Sequence, residues 1–374
     1  MDNERKTFVL RDMQIQKGVA ILILILLHLF FRGEAAWPFF DYSWTIENKP
    51  WITTLLKNGK ICVDIFVIYS GYGLNESFNK KIQGKQKSIR ISIKFVTAHL
   101  VKLYTNFWVI FWIYLSAGMI FEKFNIFTIY GEGKNGVLAL LIDMLGLRDI
   151  LFEWCHTGTI NVTWWFMSAI IILYLIFPII KSMMSKMRYL PLLLFLFINV
   201  SACYTTYRQM STGVFFYLSA FALGMLCSEL KIMDKLINLD LRYKDKLIYS
   251  LILFFVTYIW GFHDRFSGEL PHAFSVILLV NVLVIERNAI LKKASGVLVF
   301  LGKHSTNIFM FHTFILLYFE KQVYYFRNPF LIYINFIIIV IVISIILEFI
   351  KKYSGFYKLQ ERLISLIWQE KGSR

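Results

Sequence analysis

The sequence predicts an all-α fold, a polytopic transmembrane helical bundle of about ten spans with both termini cytoplasmic. Three observations carry that expectation. Apolar residues make up 57% of the 374, and the mean hydropathy is +0.59. Apolar runs of roughly 18–24 residues recur along the chain, and about 20 helical residues cross the hydrocarbon core of a bilayer. Basic residues alternate with those runs. The segments 1–17, 78–102, 181–188, 231–246, 287–303 and 351–374 hold 29 of the 40 Lys and Arg residues, and 11 lie elsewhere. That is the positive-inside pattern. It accounts for the net charge of +16 as topology and sets nucleic-acid binding aside.

Taken in order, the spans are expected at about 15–33, 59–77, 94–121, 163–181, 189–207, 213–231, 247–263, 271–287, 297–319 and 329–351. The first is long and lacks a small-residue cleavage site, so it is expected to remain as a signal anchor. The Lys-rich loop 78–93 is expected to be solvated. The outer stretch 122–162 contains "GVLALLIDMLGL" (136–147), too short to span, which lies on or dips into the membrane. The tail "YKLQERLISLIWQEKGSR" is amphipathic and basic, an interfacial helix on the cytoplasmic face. Residues 1–352 therefore form one membrane domain and 353–374 an interfacial tail. The cysteines Cys62, Cys155, Cys203 and Cys227 show no metal-binding spacing, and no disulfide framework is expected.

The informative residues are polar ones inside apolar runs. "KGVAILILILLHLFF" (17–31) places Lys17 at the expected inner boundary and His28 about 16 Å deeper on a helix rising 1.5 Å per residue. An ionisable group at that depth reads as functional unless it is a packing histidine bonded to a neighbour. "LGKHSTNIFMFHTFI" (301–315) adds His304 and His312, eight residues apart, with His312 about as deep as His28. "CVDIFVIYSGYGL" (62–74) carries Asp64, Ser70 and two glycines, which suit either a close helix crossing or a ligand lining. His99 and Lys102 lie three apart, hence on one face. With Lys17 and Arg11 they would form a cationic mouth suited to phosphates, or simply snorkel at a helix end. Trp164 opens the fourth span and fits an interfacial aromatic belt. Glu348 sits one turn from Lys351 and Lys352 and is placed to pair with them.

Six segments together resemble the acyltransferase-3 family of integral membrane acyltransferases. Lys17, ten residues and then His28 match that family's R/K-x10-H signature. "DIFVIYSGYGL" is similar to its second span, and "HLVKLY" lies where it carries R-x-x-R. "TWWFMSAIIILYLIFP", "FFYLSAFALGML" and "LGKHSTNIFMFHTFI" resemble its W-F, glycine-containing and G-K-x-S-x-x-I-Y-x-x-H segments. The similarity runs in order across about residues 10–351. His99 and Lys102 depart from the two arginines, and Glu348 matches the family's carboxylate only by position in the last span.

The resemblance implies transfer of an acyl group, usually acetyl, from cytoplasmic acetyl-CoA to a hydroxyl of a carbohydrate at the outer face. It implies a bacterial plasma membrane, a lipid bilayer as surroundings, acetyl-CoA as co-substrate, no permanently bound cofactor and no metal. His28 and His312 would be catalytic, with His28 either a general base or an acyl carrier. Lys17, His99 and Lys102 would bind acyl-CoA, and groups near Ser70 and Trp164 would stabilise the oxyanion. The rival reading is a proton-coupled transporter or flippase that uses the histidines as a relay, against which stands the lack of visible repeats. The charge pattern also makes a topological prediction. A cysteine placed near Gln83 resists an impermeant thiol reagent in intact cells, and one near Asn328 is labelled; the opposite labelling would invert the map.

Overall fold

The computed structural model of the chain describes residues 7–31, 34–42, 44–46, 48–83, 89–155, 158–203, 214–263, 265–285 and 289–369. Residues 84–88 of the Lys-rich loop, the span ends at 32–33, 204–207 and 286–287, and tail residues 370–374 lie outside these. The fold is helical, with one short antiparallel pair of strands, β1 (Thr45–Ile46) and β2 (Lys49–Pro50), in the first outer loop.

Helix α1 (Leu10–Phe30) is followed by the short α2 (Trp51–Leu55), then α3 (Ile61–Ile82) and the long α4 (Ile89–Ile120). Three short helices come next, α5 (Ile126–Tyr130), α6 (Gly133–Met144) and α7 (Arg148–Cys155). Beyond them run α8 (Trp165–Lys186), α9 (Leu190–Cys203), α10 (Val214–Glu229), α11 (Ile232–Ile237), α12 (Tyr243–His263) and α13 (Arg265–Val280). A π-helical turn at Asn281–Ile285 leads out of α13. The chain ends with α14 (Ala289–Tyr318), α15 (Glu320–Val323), α16 (Pro329–Tyr353) and α17 (Phe356–Trp368). Each of the ten expected apolar segments falls on a helix. Four helical stretches, Leu10–Phe30, Ile89–Ile120, Val162–Lys186 and Pro329–Tyr353, are long and apolar enough to cross a membrane.

Helix ends follow the local chemistry. The Asp12 carboxylate reaches back to accept from the Val9 N–H at 2.9 Å, closing the start of α1. At its other end the Tyr324 hydroxyl donates to the Leu29 carbonyl at 2.6 Å, satisfying an acceptor that has no intrahelical partner. Asn328 caps α16 by accepting from Phe330 and Leu331 N–H groups, with Pro329 in the first turn, where its missing N–H is harmless.

Two helix pairs set the bundle. Helices α1 and α14 run parallel in a constant register. Arg11 donates to Ser295 at 2.8 Å and His28 meets His312 at 3.1 Å, both pairs 284 positions apart. Between those points the backbones touch. A Cβ on Gly18 would run into the Leu298 carbonyl, and one on Gly302 into that of Gln14. Small residues at such crossings let membrane helices approach without any hydrophobic drive between them. Helices α3 and α10 make a second parallel pair through Gly71, against the Phe221 carbonyl, and Gly224, against that of Ile68. Gly71 is thus used for a helix crossing.

The short apolar run of the outer stretch forms α6, and its end is anchored between α4 and α8. Tyr104 donates to the Leu145 carbonyl and Trp108 to that of Met144, both at 2.9 Å, while Ser168 donates to Gly146 at 2.5 Å. Asp143, at the end of α6, is buried and accepts from the Tyr130 hydroxyl at 2.6 Å and the Thr159 hydroxyl at 3.0 Å. Burial pushes its carboxyl up to about 6. The amphipathic tail forms α17 and docks on α4, where Gln360 donates to Thr105 at 2.7 Å.

Gly302→Ala is expected to lower the thermal-melt midpoint of the detergent-solubilised protein, with a loss of about 1–3 kcal/mol for overpacking. Gly296→Ala, on the same helix with open space around it, is expected to be neutral or mildly stabilising.

Candidate active site

The site is assembled at the C-terminal end of α1, where it packs on α14. His28 lies in the last turn of α1, so the helix places it nearer its end than the expected mid-span position. Lys17 likewise is not at the helix boundary. The helix begins at Leu10, and Lys17 is half-buried about two turns inside it.

His28 Nδ1 and His312 Nε2 are 3.1 Å apart, and the ring centroids are 4.8 Å apart. His312 Nδ1 lies 2.9 Å from the Phe309 carbonyl oxygen and 3.0 Å from that of Ile308. Carbonyl oxygens only accept, so His312 carries its proton on Nδ1 and presents a lone pair at Nε2. His28 Nδ1 then donates to that lone pair. Two carbonyls in one helix turn thus fix the tautomer of His312. The negative end of the α1 macrodipole favours the positive charge that builds on His28 when Nε2 takes a proton.

A turn at Val162–Trp164 holds the other side. Trp164 Nε1 donates to the Met310 carbonyl at 3.0 Å and Asn161 Nδ2 to the same oxygen at 3.3 Å. Together they clamp α14 two residues before His312. The Trp164 N–H is therefore occupied, and Trp164 is a positioning residue instead of an oxyanion donor. Ser70 is too far away. Gly59 packs on Leu27 and Gly73 on Met13, which makes α1 and α3 antiparallel. Ser70 is then level with Gln16, about 18 Å along the helix axis from His28.

Glu348 does not reach the histidines. It accepts from Asn307 Nδ2 at 3.2 Å and from the Tyr357 hydroxyl, whose proton burial and the Glu348 carboxylate hold on more tightly than usual. Lys351, expected near the interface, is buried, with its ammonium on the amide oxygens of Asn307 at 2.7 Å and Asn106 at 3.0 Å. Asn307, Phe311, His312 and Ser344 line a crevice too narrow to hold a water between this cluster and the histidine pair. His304 bonds Ser344 at 2.8 Å.

Lys17, His99 and Lys102 are not in mutual contact. Helices α1 and α4 each pack on α14, and no hydrogen bond or ring contact among the described residues joins Lys17 to the other two. His99 Nδ1 bonds the Phe95 carbonyl at 2.9 Å and its ring packs on Phe95, so a neutral His99 offers an anion only a lone pair. Lys102 is exposed. The bridge from Asn106 through Lys351 to Asn307 sets α4 against α14. His99 then falls near the level of Leu301, which is also the level of Lys17 in the α1 register.

The sequence reading missed a buried cluster on α12 and α13. His272 Nδ1 lies 3.1 Å from the Thr257 hydroxyl, which is 2.8 Å from that of Ser275. A single histidine in "ELPHAF" carries no spacing signal. It also missed Lys181, whose ammonium bonds Asn75 at 2.8 Å and Glu229 at 2.7 Å. No group of three His, Cys, Asp or Glu residues among the described residues is arranged to hold a metal ion.

The Lys351 cluster yields a stability prediction. Asn307→Leu is expected to cost about 2 kcal/mol or more, because it strips a close acceptor from a buried ammonium. Lys351→Met removes the charge itself and is expected to be milder. Thermal melts of the two variants in one detergent check the order.

Neither a curated protein nor a solved structure matches the chain. A family model described as an acyltransferase domain matches residues 11–349, a range that contains α1, α14 and both histidines of the pair. The chain belongs to the acyltransferase-3 family and is an integral membrane acyltransferase.

Proposed function

We propose that this protein moves an acetyl group from cytoplasmic acetyl-CoA to a hydroxyl of a cell-envelope or extracellular carbohydrate, in a bacterial plasma membrane. The observation that carries this reading is the His28–His312 pair itself, with His312 Nδ1 held by two backbone carbonyls and its Nε2 3.1 Å from His28 Nδ1. His28 Nε2 takes the proton of the acceptor hydroxyl as its oxygen attacks the thioester carbonyl, and returns it to the departing thiolate. His312 accepts from His28 Nδ1 and so holds the ring in its orientation. Lys17 and Lys102, with His99 as imidazolium, attract the anionic end of the donor, and the pantetheine arm carries the thioester toward the pair. Lys17 lies about 16 Å from His28 along α1.

His28→Ala is expected to abolish transfer of labelled acetyl to glycan while acetyl-CoA affinity stays within a few fold. Loss of the ring removes the hydrogen bond to His312, which by itself is expected to cost about 1 kcal/mol. The assay is run beside calorimetric donor binding and a thermal melt. Near-normal transfer by a folded His28→Ala protein would overturn the catalytic role.

A further inference from the structure

Helix α11, the first turns of α12 and the end of α13 frame a groove of about 160 Å³, far more than one water needs. Leucine, isoleucine and valine side chains make most of its wall, and Lys246, Ser250 and Asn281 bring polar atoms to it. Lys246, Ser250 and Leu253 share one face of α12, so the groove runs about 10 Å along that helix from a charged end to an apolar one. The charge comes from the segment 231–246, with five basic and three acidic residues. Two of those acids are engaged: Asp245 accepts from Arg242 at 2.8 Å and Asp234 from the Phe8 N–H at 2.6 Å. The Lys246 ammonium donates to the Ile237 carbonyl at 2.9 Å, which holds it at the α11 end of the groove. Ser250 is 8% exposed, yet its hydroxyl makes no hydrogen bond among the described residues. A buried hydroxyl without a partner calls for an explanation. On the opposite face of α12, Ile248, Ile252, Phe255, Val256 and Ile259 are each more than half exposed. In an integral membrane protein such a face is covered by lipid.

We propose that this groove is a binding site for one anionic phospholipid. Its phosphate lies at Lys246, a glycerol ester carbonyl accepts from the Ser250 hydroxyl, and an acyl chain continues along Leu253 and Leu278. A basic end and an apolar end on one helix face match the two ends of such a molecule, and basic pockets at the edge of a membrane bundle select anionic headgroups in this way. The surplus of base over acid in the segment favours a net negative headgroup over a zwitterionic one. A water-soluble ligand fits less well, because Tyr249 and Leu253 open the groove beside the lipid-covered face of α12. The site also bears on the helix that carries His28. Asn281 of the groove accepts from Gln16 Nε2 at 2.8 Å, and Asp234 holds Phe8 just before α1 begins. A lipid seated there packs the wall that these two contacts tie to α1. None of this depends on the acyl-transfer chemistry.

The test uses the full-length protein, stripped of lipid in an uncharged detergent, with native mass spectrometry for bound lipid and a thermal melt for stability. Phosphatidylglycerol is expected to bind about fivefold more tightly than phosphatidylcholine of the same chains, the gain that one basic side chain gives near an anionic lipid. It is also expected to raise the melt midpoint more. Lys246→Gln is expected to bring the two affinities within about twofold of each other. Leu253→Trp, at a partly exposed position, fills the apolar end and is expected to weaken both lipids about tenfold, the loss of about two buried methylenes. Inorganic phosphate has the charge without the chains and is expected to leave the midpoint unmoved. Equal affinity of the two lipids for wild type, or an undiminished preference in Lys246→Gln, overturns the headgroup assignment. Unchanged binding by Leu253→Trp means that lipid only coats the bundle, and overturns the site. A midpoint raised by phosphate as much as by phosphatidylglycerol overturns it as well, since the groove then takes a soluble anion. The wild-type comparison of the two lipids decides the proposal even where a variant melts early.

Discussion

The parallel contact of α1 and α14 is the constraint on which the rest depends. Only a glycine on each helix, Gly18 and Gly302, allows the backbones to meet. That closeness keeps the register from Arg11–Ser295 to His28–His312. In lipid there is no hydrophobic gain from pressing one apolar helix on another, so packing and interhelical hydrogen bonds must hold the pair. A shift of one residue would turn the two rings away from each other, since successive side chains on a helix are separated by about 100°.

The polar chemistry is concentrated where the dielectric is low. Each buried cluster is neutralised by a different device. Lys181 uses a carboxylate, Lys351 two amide oxygens, and the histidines a pair of backbone carbonyls. Amide oxygens soften a buried ammonium without bringing in a second ion, which avoids part of the desolvation penalty of an ion pair. The short helices α5 to α7 and the turn that follows them pack against the same region. The elbow after α6 is held by Tyr104, Trp108 and Ser168, and the turn after α7 brings Asn161 and Trp164 onto the Met310 carbonyl.

Much of the architecture was legible in the residues, because apolar length and basic loops report directly on a solvent of fixed thickness. The helix positions, the amphipathic tail and the two histidines at corresponding depth all follow from periodicity and charge. Depth along a helix was less legible. The helix itself starts about two turns before Lys17, where the Asp12 carboxylate caps the Val9 N–H. Ser70 and Trp164 looked suitable as donors by chemistry alone. Helix register removed the first, and a backbone carbonyl occupied the second.

By itself the sequence determined that the chain is a helical membrane protein, that His28 and His312 lie at similar depth in their apolar runs, and which family their spacing resembles. These properties depend on local composition and on spacing along single helices. The tertiary structure alone decided the partners of those side chains: that His28 Nδ1 meets His312 Nε2, that two backbone carbonyls hold His312 Nδ1, and that Glu348 serves Asn307 and Tyr357. The physical reason is that a hydrogen bond is decided within a few tenths of an ångström. Such distances are set by how distant helices cross, and no spacing within one helix encodes them.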